Sequence, residues 1–465
     1  MRCLAFAETL AWAGWRTTFA TRSESLEAMP SLAASGHNIV RLDGRDPLTL
    51  SDDVGVSLVD HYGLDAAFER TLTGRDRTMV VFDDLADRSH VADILVDPTP
   101  GRRPTDYQDR VQTKTRLLLG PRHAIVRREW RVKRAQTRAR LERGGQVERI
   151  LVSMGATDPH DTTSRILAAI APSSLRARVD VVLTSVAPHL ERVATLVGPH
   201  VKLHVDPADF AGLVAGTDLA IGAPGSSSFE RATLGLPAIL IPTADNQRHM
   251  AAGFAKAGAA EVLPESMLGE PAALGARIAS LANDAVRRVA MSRAAAALTD
   301  GRGALRLLTA IAGHELAADG SAFSVRLAEG SDSDWLLDLQ RKPETRKFSV
   351  HPAVPTGEEH QSWFAATLGN PDRLLMIVEA NGNPVGMLRL DRTPALPPTF
   401  ELSIAIDPSW HRRGVGRAAL ALARRLAPGA DILATVLRDN QASVALFKAA
   451  GYRPEGPERM RSRAA

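Results

Sequence analysis

Two short stretches of this chain combine glycine, hydroxyl and charged residues at spacings that could hold an anion. The first runs from Asp218 to Gln247 and reads DLAIGAPGSSSFERATLGLPAILIPTADNQ. Asp218 to Ile221 is apolar enough for a buried strand. Gly222-Ala223-Pro224-Gly225 makes a tight turn, and Ser226-Ser227-Ser228 opens a helix. Backbone N–H groups at a helix start lack partners within the helix, and the helix dipole adds positive potential there. A phosphate could sit above such a turn. Glu230, one turn in, could accept hydrogen bonds from ribose hydroxyls. Ser227 and Glu230 equally fit the S-x-x-E capping box, which needs no ligand, so the turn alone leaves both readings open. The second stretch, His411-Arg412-Arg413-Gly414-Val415-Gly416-Arg417-Ala418, has the same character and stands between a strand and a helix.

The elements around these stretches alternate. Met1 to Trp12 has helical spacing. Strands are expected at 17–21, 38–42, 56–60, 78–82 and 92–96, then at 149–153, 179–184, 201–204 and 237–242. Strands alternating with helices predict parallel, doubly wound sheets, whose ligands bind beyond the carboxyl ends of the strands. Asp60, His61, Tyr62, Asp83 and Asp84 fall at such ends, where they serve either a site or a structural cap. So do Gly155 to Asp158, after the strand at 149–153. Asn246 and Gln247 could read a nucleotide or a sugar, or cap the helix they begin. The polar, basic stretch 131–148 ends in Gly-Gly and reads as a boundary. Residues 271–316 are rich in alanine and helical and should pack on the second half. Residues 317–322 (AADGSA) read as a linker. Beyond it the pattern changes to strands at 323–327, 374–379, 386–390, 400–406 and 432–436, with a hairpin turn at 381–384.

The 465 residues imply two or three domains. With 45% apolar and 24% charged residues, a packed globular chain follows. Of 57 Lys and Arg, 7 are Lys and 57 − 7 = 50 are Arg. No basic cluster is interleaved with aromatic residues, so no nucleic-acid partner is expected. The single cysteine, Cys3, rules out an internal disulfide and fits a cytoplasmic location. No apolar run reaches the length of a membrane span. No metal is expected, and the oligomeric state is left open.

The region from 323 to 465 resembles the GNAT acetyltransferases. His411 stands where that family usually has Gln or Arg, and Gly414 and Gly416 match its phosphate-cradling glycines. The resemblance implies acetyl-CoA as co-substrate, held by Ile406, His411, Arg412, Arg413, Gly414, Val415, Gly416, Arg417, Ala418 and Asn440. A tyrosine acid is common on the last helix of the family, but Phe447 occupies its place here. Glu401, on the strand facing the cleft, is the candidate catalytic base; a solvated strand residue is the alternative.

Residues 1 to about 312 resemble the UDP-sugar hydrolase of pseudaminic-acid synthesis. More distantly, they resemble the GT-B glycosyltransferase that makes lipid II. The residues that carry this are MRCLAFAETL, VDHYGLD (59–65), FDDLADRSH (82–90), LLLGPRHAIVRREW (117–130), LVSMGATDP (151–159) and the 220–247 stretch. The resemblance implies an α/β chain of two Rossmann-like GT-B halves, 1–147 and 148–316, followed after the 317–322 linker by a GNAT domain, 323–465. A UDP-linked sugar would meet Arg2, Gly155, Asp158, Gly222, Gly225, Ser226, Ser227, Ser228, Glu230, Asn246 and Gln247. Asp60, Tyr62 and Asp83 would serve catalysis. Pro224 and Ala156 replace glycines usual in the family. The family's opening strand and Gly-x-Gly-His-x-x-Arg-Cys motif would put the catalytic His two residues before Met1. That implies either a start assigned too far downstream, the favoured reading, or a truncated hydrolase half.

Joined, the two resemblances imply one pathway. The GNAT domain would N-acetylate a UDP-4-amino sugar, and the front domains would hydrolyse the UDP-diacetamido product to UDP and free sugar. Glycosyl transfer to an acceptor, and a non-catalytic UDP-sugar scaffold, are the alternatives.

Overall fold

The computed structural model describes residues 1–27, 29–42, 50–172 and 175–464. The chain divides into two compact units. One comprises Met1–Ala5, Ser23–Pro30 and Gly44–Ala304; the other comprises Phe6–Arg22, Ser31–Asp43 and Leu305–Ala465.

The first unit holds two all-parallel sheets. The smaller has the order β3 (Val56–Val59), β4 (Thr78–Phe82), β5 (Ile94–Asp97), β6 (Arg116–Leu119). The strands expected at 17–21 and 38–42 form, as β1 (Thr18–Thr21) and β2 (Asn38–Arg41), but among the described residues they pair in parallel only with each other. They also group with the second unit. Their half-exposed faces explain the split: neither strand has a fully buried residue, whereas every residue of β5 is buried.

The larger sheet has the order β12-β11-β10-β7-β8-β9, from β7 (Arg149–Ser153), β8 (Arg178–Leu183), β9 (Val201–Val205), β10 (Leu219–Gly222), β11 (Ala238–Leu240) and β12 (Glu261–Val262). Alternation along β7 explains why both faces are covered. Ile150 and Val152 enter a core with Ile166 and Ile278. Leu151, pointing the other way, joins Phe229, Phe254 and Trp130. Buried on both faces, such strands read as continuous apolar runs. Asp218 locks the start of β10 beside β7: its carboxylate accepts the backbone N–H groups of Glu148 and Arg149, both at 3.0 Å, and pairs with Arg140. The helix Arg128–Leu141 runs into the stretch read as a boundary and buries Trp130 and Leu141.

The second unit is an eight-stranded, mainly antiparallel sheet, with β17 (Thr399–Ile406) and β18 (Asp431–Thr435) its parallel pair. Its other strands are β13 (His314–Leu316), β14 (Ala322–Leu327), β15 (Arg373–Ala380), β16 (Asn383–Thr393), β19 (Arg453–Pro454) and β20 (Arg459–Ser462). Residues 317–321 of the expected linker form a hairpin turn: β13 and β14 pair antiparallel on either side of it, Leu316 opposite Ala322, and the Ala317 N–H donates to the Ser321 carbonyl at 2.9 Å. The hairpin at 381–384 forms as expected, with Asn381-Gly382 between β15 and β16. Of the alanine-rich helices, Pro271–Asn283 packs in the second half as expected. The helix Gly303–Ile311 instead groups from Leu305 onward with the second unit. One face of this sheet packs Leu375, Ile377 and Met387 under Leu336, Leu339 and Phe364 from the helices Ser333–Arg341 and Gly357–Gly369. Trp12 belongs to this unit too, its ring edge-on to Phe400 at 5.1 Å.

Candidate functional sites

In the first unit the decisive geometry is the strand order of the larger sheet. From β7 the chain moves outward through β8 and β9, then returns to start β10 on the other side of β7 and moves outward through β11 and β12. The loops after β7 and β10 therefore leave adjacent strands in opposite directions and open a crevice between them. That is where doubly wound sheets bind ligands. Gly155 to Asp158 and Gly222 to Ser226 are those two loops.

After β10 the chain turns into the helix Ser226–Leu234, which starts directly on the serines and ends at Gly235 in the left-handed region. Gly222 is required by crowding: a Cβ there would lie 2.7 Å from the Ser153 carbonyl oxygen and 2.8 Å from Nη1 of Arg231. The Ser228 hydroxyl oxygen accepts the Gly225 N–H at 3.4 Å, and the Gly225 carbonyl accepts the Ser228 N–H at 2.9 Å. The capping expected of Ser227 and Glu230 is therefore done by Gly225 and Ser228 instead. That leaves Ser226 exposed and Ser227 half-exposed at the rim. Glu230 is partly buried. Desolvation pushes its carboxyl up to about 7, aided by Glu129 and opposed by Arg231 and Arg127.

The other expected contacts divide. Asp158 is buried and accepts the N–H groups of Thr162 (3.0 Å) and Thr163 (2.7 Å), which caps the helix Thr162–Ile170. Gln247 is turned inward, its Oε1 accepting the Thr243 N–H at 3.0 Å. Asn246 is exposed.

At the carboxyl ends of β3 and β4, the Arg2 guanidinium donates to Asp60 at 2.7 and 2.9 Å and to Asp84 at 2.9 Å. The Cys3 thiol donates to the other Asp60 oxygen at 3.2 Å, and the Tyr62 hydroxyl to Asp84 at 3.2 Å. Burial works to raise the Asp60 carboxyl, but the Arg2 bonds and charge outweigh it and hold it low. Burial prevails at Asp84, whose carboxyl is raised. Tyr62 is 54% exposed, so this cluster opens to solvent.

Asp83 does not belong to the opening. It is fully buried and receives the N–H of Ala86 at 2.9 Å. The Tyr107 hydroxyl lies 2.8 Å from both Asp83 and Asp97 and donates to one of them. Its neighbour His90 is bonded at Nδ1 to Glu69 at 2.7 Å. Burial opposes charge on this histidine, but Asp83 and Glu69 outweigh it and push its pKa up to about 9. Against the effect of burial, His90, the Tyr107 hydroxyl and the Ala86 N–H, with the charge of Arg88, hold Asp83 far below the usual carboxylate range. The sequence places Asp83 at a strand end, as a site residue would be; the structure gives it a post inside the fold.

In the second unit, β17 and β18 pair only from Thr399–Asp431 to Leu402–Ala434, while β17 continues to Ile406. Ser403 to Ile406 thus have an open edge on that side. Beyond them Arg412 and Gly414 both adopt positive φ, 62° and 82°, immediately before the helix Val415–Leu426. Left-handed residues at a helix start turn successive N–H groups toward one point, an anion-binding concavity. His411, Arg412, Arg413, Gly414 and Arg417 are exposed around it, while Val415 and Ala418 anchor it in the core. The Arg413 guanidinium lies 5.0 Å from the centre of the Trp410 ring, and His411 reaches the Ile406 carbonyl at 3.2 Å. Gly416 gives passage to the last helix, since a Cβ there would lie 2.8 Å from Leu446. Asn440 caps that helix, accepting the Ser443 N–H at 3.0 Å.

Glu401 stands opposite Asp391 in the β16–β17 register, and Arg389 opposite Ser403, on the face that the two helices cover only in part. Glu401 is 62% exposed, its nearest cation being Arg459 at 3.9 Å. Burial raises the Asp391 carboxyl, against the charges of Arg389 and Arg373. Phe447 is buried with the Tyr452 ring edge-on at 5.0 Å. The Tyr452 phenol is pushed up to about 12 by burial, and the charge that acts on it is Arg424, near the far end of the helix that Gly414 begins.

Residues 336–452 match the acetyltransferase (GNAT) family, and residues 202–306 match the glycosyltransferase family 28 C-terminal domain. The chain carries a GNAT domain and a glycosyltransferase-28-like domain. It is 21% identical to the uncharacterized protein MJ1062 of Methanocaldococcus jannaschii over 454 residues, 94% of this chain and 89% of that protein. It is 27% identical to the spore coat polysaccharide biosynthesis protein SpsG of Bacillus subtilis over 242 residues, 50% of this chain and 69% of that protein. Among solved structures, the spermidine N-acetyltransferase of Vibrio cholerae in complex with CoA and spermine is 18% identical. It covers 30% of this chain and 92% of that chain, with a TM-score of 0.27.

Arg231, 2% exposed beneath the Gly222 turn, is a buried charge that the sequence did not reveal. Its position just after Glu230 gave the only signal, and a helical arginine reads as solvent-facing unless the fold shows it buried.

Proposed function

We propose that this chain acetylates an amino group on a nucleotide-diphosphate-linked sugar, with acetyl-CoA as donor, and that its first unit holds the nucleotide diphosphate. The observation that carries this is the β7–β10 switch point with a serine-rich helix start on one side. The match to the glycosyltransferase 28 domain supports it, as does the similarity to a polysaccharide biosynthesis protein. In finer terms the ligand is UDP-linked, with its diphosphate on Gly222 to Ser228 and its ribose on Glu230.

Acetyl transfer needs few groups. The coenzyme A pyrophosphate would lie on the N–H groups of Gly414 to Arg417, with its pantetheine arm along the open edge of Ser403 to Ile406. A protonated amine has no lone pair to attack with, so a base must first take its proton. Glu401 is exposed on that strand and can accept it. The amine nitrogen then bonds to the thioester carbonyl carbon, the C–S bond breaks, the nitrogen gives up its remaining extra proton to solvent, and the coenzyme A thiolate takes one from solvent, since Phe447 offers none.

A second reaction is favoured by the solvent-open Arg2–Asp60–Asp84–Tyr62 cluster: hydrolysis of the acetylated UDP-sugar to UDP and free sugar, as in pseudaminic-acid-type synthesis. Incubating the chain with acetyl-CoA and a UDP-4-amino sugar tests both steps. Coenzyme A thiol release reports the first and UDP release the second. Absence of thiol release would sink the acetylation reading.

A further inference from the structure

We infer that Arg231 is a built-in countercharge for a diphosphate seated on the Gly222–Ser226 turn, an inference that rests on reading that turn as a nucleotide-diphosphate site. Arg231 is 2% exposed. Its Nη2 donates to the Ala223 carbonyl at 3.1 Å and to the Ser228 hydroxyl oxygen at 3.0 Å, and its Nη1 to the Ser227 hydroxyl oxygen at 3.3 Å. All three acceptors are neutral, and all belong to the turn or to the first turn of the helix. Nε is buried with no partner.

The acidic group that stabilises the charge is the neighbouring Glu230, acting through its field. Burial pulls the guanidinium down to about 10, so it stays charged at neutral pH. The space around it also touches the aliphatic side chains of Leu236, Leu240 and Ala295, which offer a cation nothing. A buried charge without an ionic partner is costly, far more so than a neutral side chain making the same bonds.

The fold nevertheless makes room for it. The missing Cβ of Gly222 leaves the space in which the guanidinium lies directly beneath the turn, 2.8 Å from where that carbon would be. Low-dielectric surroundings leave its field little screened, and the side open to an anion is the turn. A diphosphate on the exposed N–H groups would be attracted by this charge without touching it. Glu230 acts on this cation only through its field and makes no ion pair with it; a diphosphate on the turn would supply the matching charge.

The test uses the full chain as wild type, R231Q and R231K, titrated calorimetrically with UDP, inorganic pyrophosphate and uridine. Glutamine can still brace the turn but carries no charge. Lysine keeps the charge and cannot make all three bonds. A countercharge predicts that R231Q loses at least about tenfold in UDP and pyrophosphate affinity while uridine binding is unchanged. It also predicts that R231K keeps most of the pyrophosphate affinity, and that ligand-free R231Q melts no lower than wild type. The inference is overturned if R231Q binds pyrophosphate as wild type does, or if all three ligands weaken together. If R231Q does not fold, R231K decides alone, since loss of its pyrophosphate binding would show a brace rather than a charge. Wild type that binds neither UDP nor pyrophosphate would refute the underlying site reading instead.

Discussion

Lowering the pH from 8 to 6 should weaken the binding of a uridine ribose to the first unit, because the Glu230 carboxyl titrates in that interval. Its pKa is pushed up to about 7, chiefly by desolvation. About one carboxyl in eleven is then ionised at pH 6 and about ten in eleven at pH 8. An ionised carboxylate accepts hydrogen bonds roughly twice as strong as a neutral group does. If the ionised form is the one that binds the ribose hydroxyls, affinity falls about tenfold between these pH values, or about 1.4 kcal/mol. Glutamine at this position keeps the size and loses the proton, so E230Q should bind weakly at pH 8 and show no change toward pH 6. UDP itself titrates near pH 6, so uridine is the ligand to use, followed by ligand-observed NMR titration. Equal uridine affinity at pH 6 and 8 in wild type, or the same slope in E230Q, would refute the argument. The sign for folding is separate: a carboxyl raised on folding contributes stability at low pH that is lost as the pH rises through about 7. Ligand-free protein should therefore be more stable at pH 5 than at pH 8 through this group.

Three further outcomes follow from the geometry. Gly222→Ala should cost about 1–3 kcal/mol by overpacking, because its Cβ meets a backbone carbonyl at 2.7 Å; a thermal melt with and without UDP should show both lower stability and a smaller ligand-induced rise. His90, with its pKa raised to about 9, contributes stability that is fully present below about pH 6.5 and lost as the pH rises through 9, worth about 3 kcal/mol. Amide-exchange protection of β4 and β5 should fall over that window in wild type and stay flat in H90Q. Glu401→Gln should lower the acetyl-transfer rate by roughly 10²–10⁴-fold without weakening coenzyme A binding; an unchanged rate would remove Glu401 from the mechanism.

The phosphate-type turns were legible because their signal is local. A strand, a glycine turn and a helix start lie within a dozen residues at both Gly222 and Gly414, and the anion sites proposed there would use backbone N–H groups. The alternation of strands and helices likewise follows from periodicity. Long-range pairing is less visible. β1 and β2 have the composition of sheet strands, but composition does not say that each is the other's only partner among the described residues. AADGSA is as suitable for a linker as for a hairpin turn, and only the β13–β14 ladder decides. Side-chain fate is harder still. Asp83 and Asp84 are adjacent in sequence and differ by one alternation of the chain: one faces Tyr107 and His90 inside, the other meets Arg2 and Tyr62 at the rim. Arg231 is hidden for the same reason.

The most direct test of the account is an acetyl-transfer assay on the full chain with acetyl-CoA and a UDP-linked 4-amino sugar, beside the same sugar without its nucleotide. The account predicts coenzyme A release with the UDP-linked sugar, little with the free sugar, and inhibition by added UDP. Equal turnover of both sugars, or none of either, would contradict it.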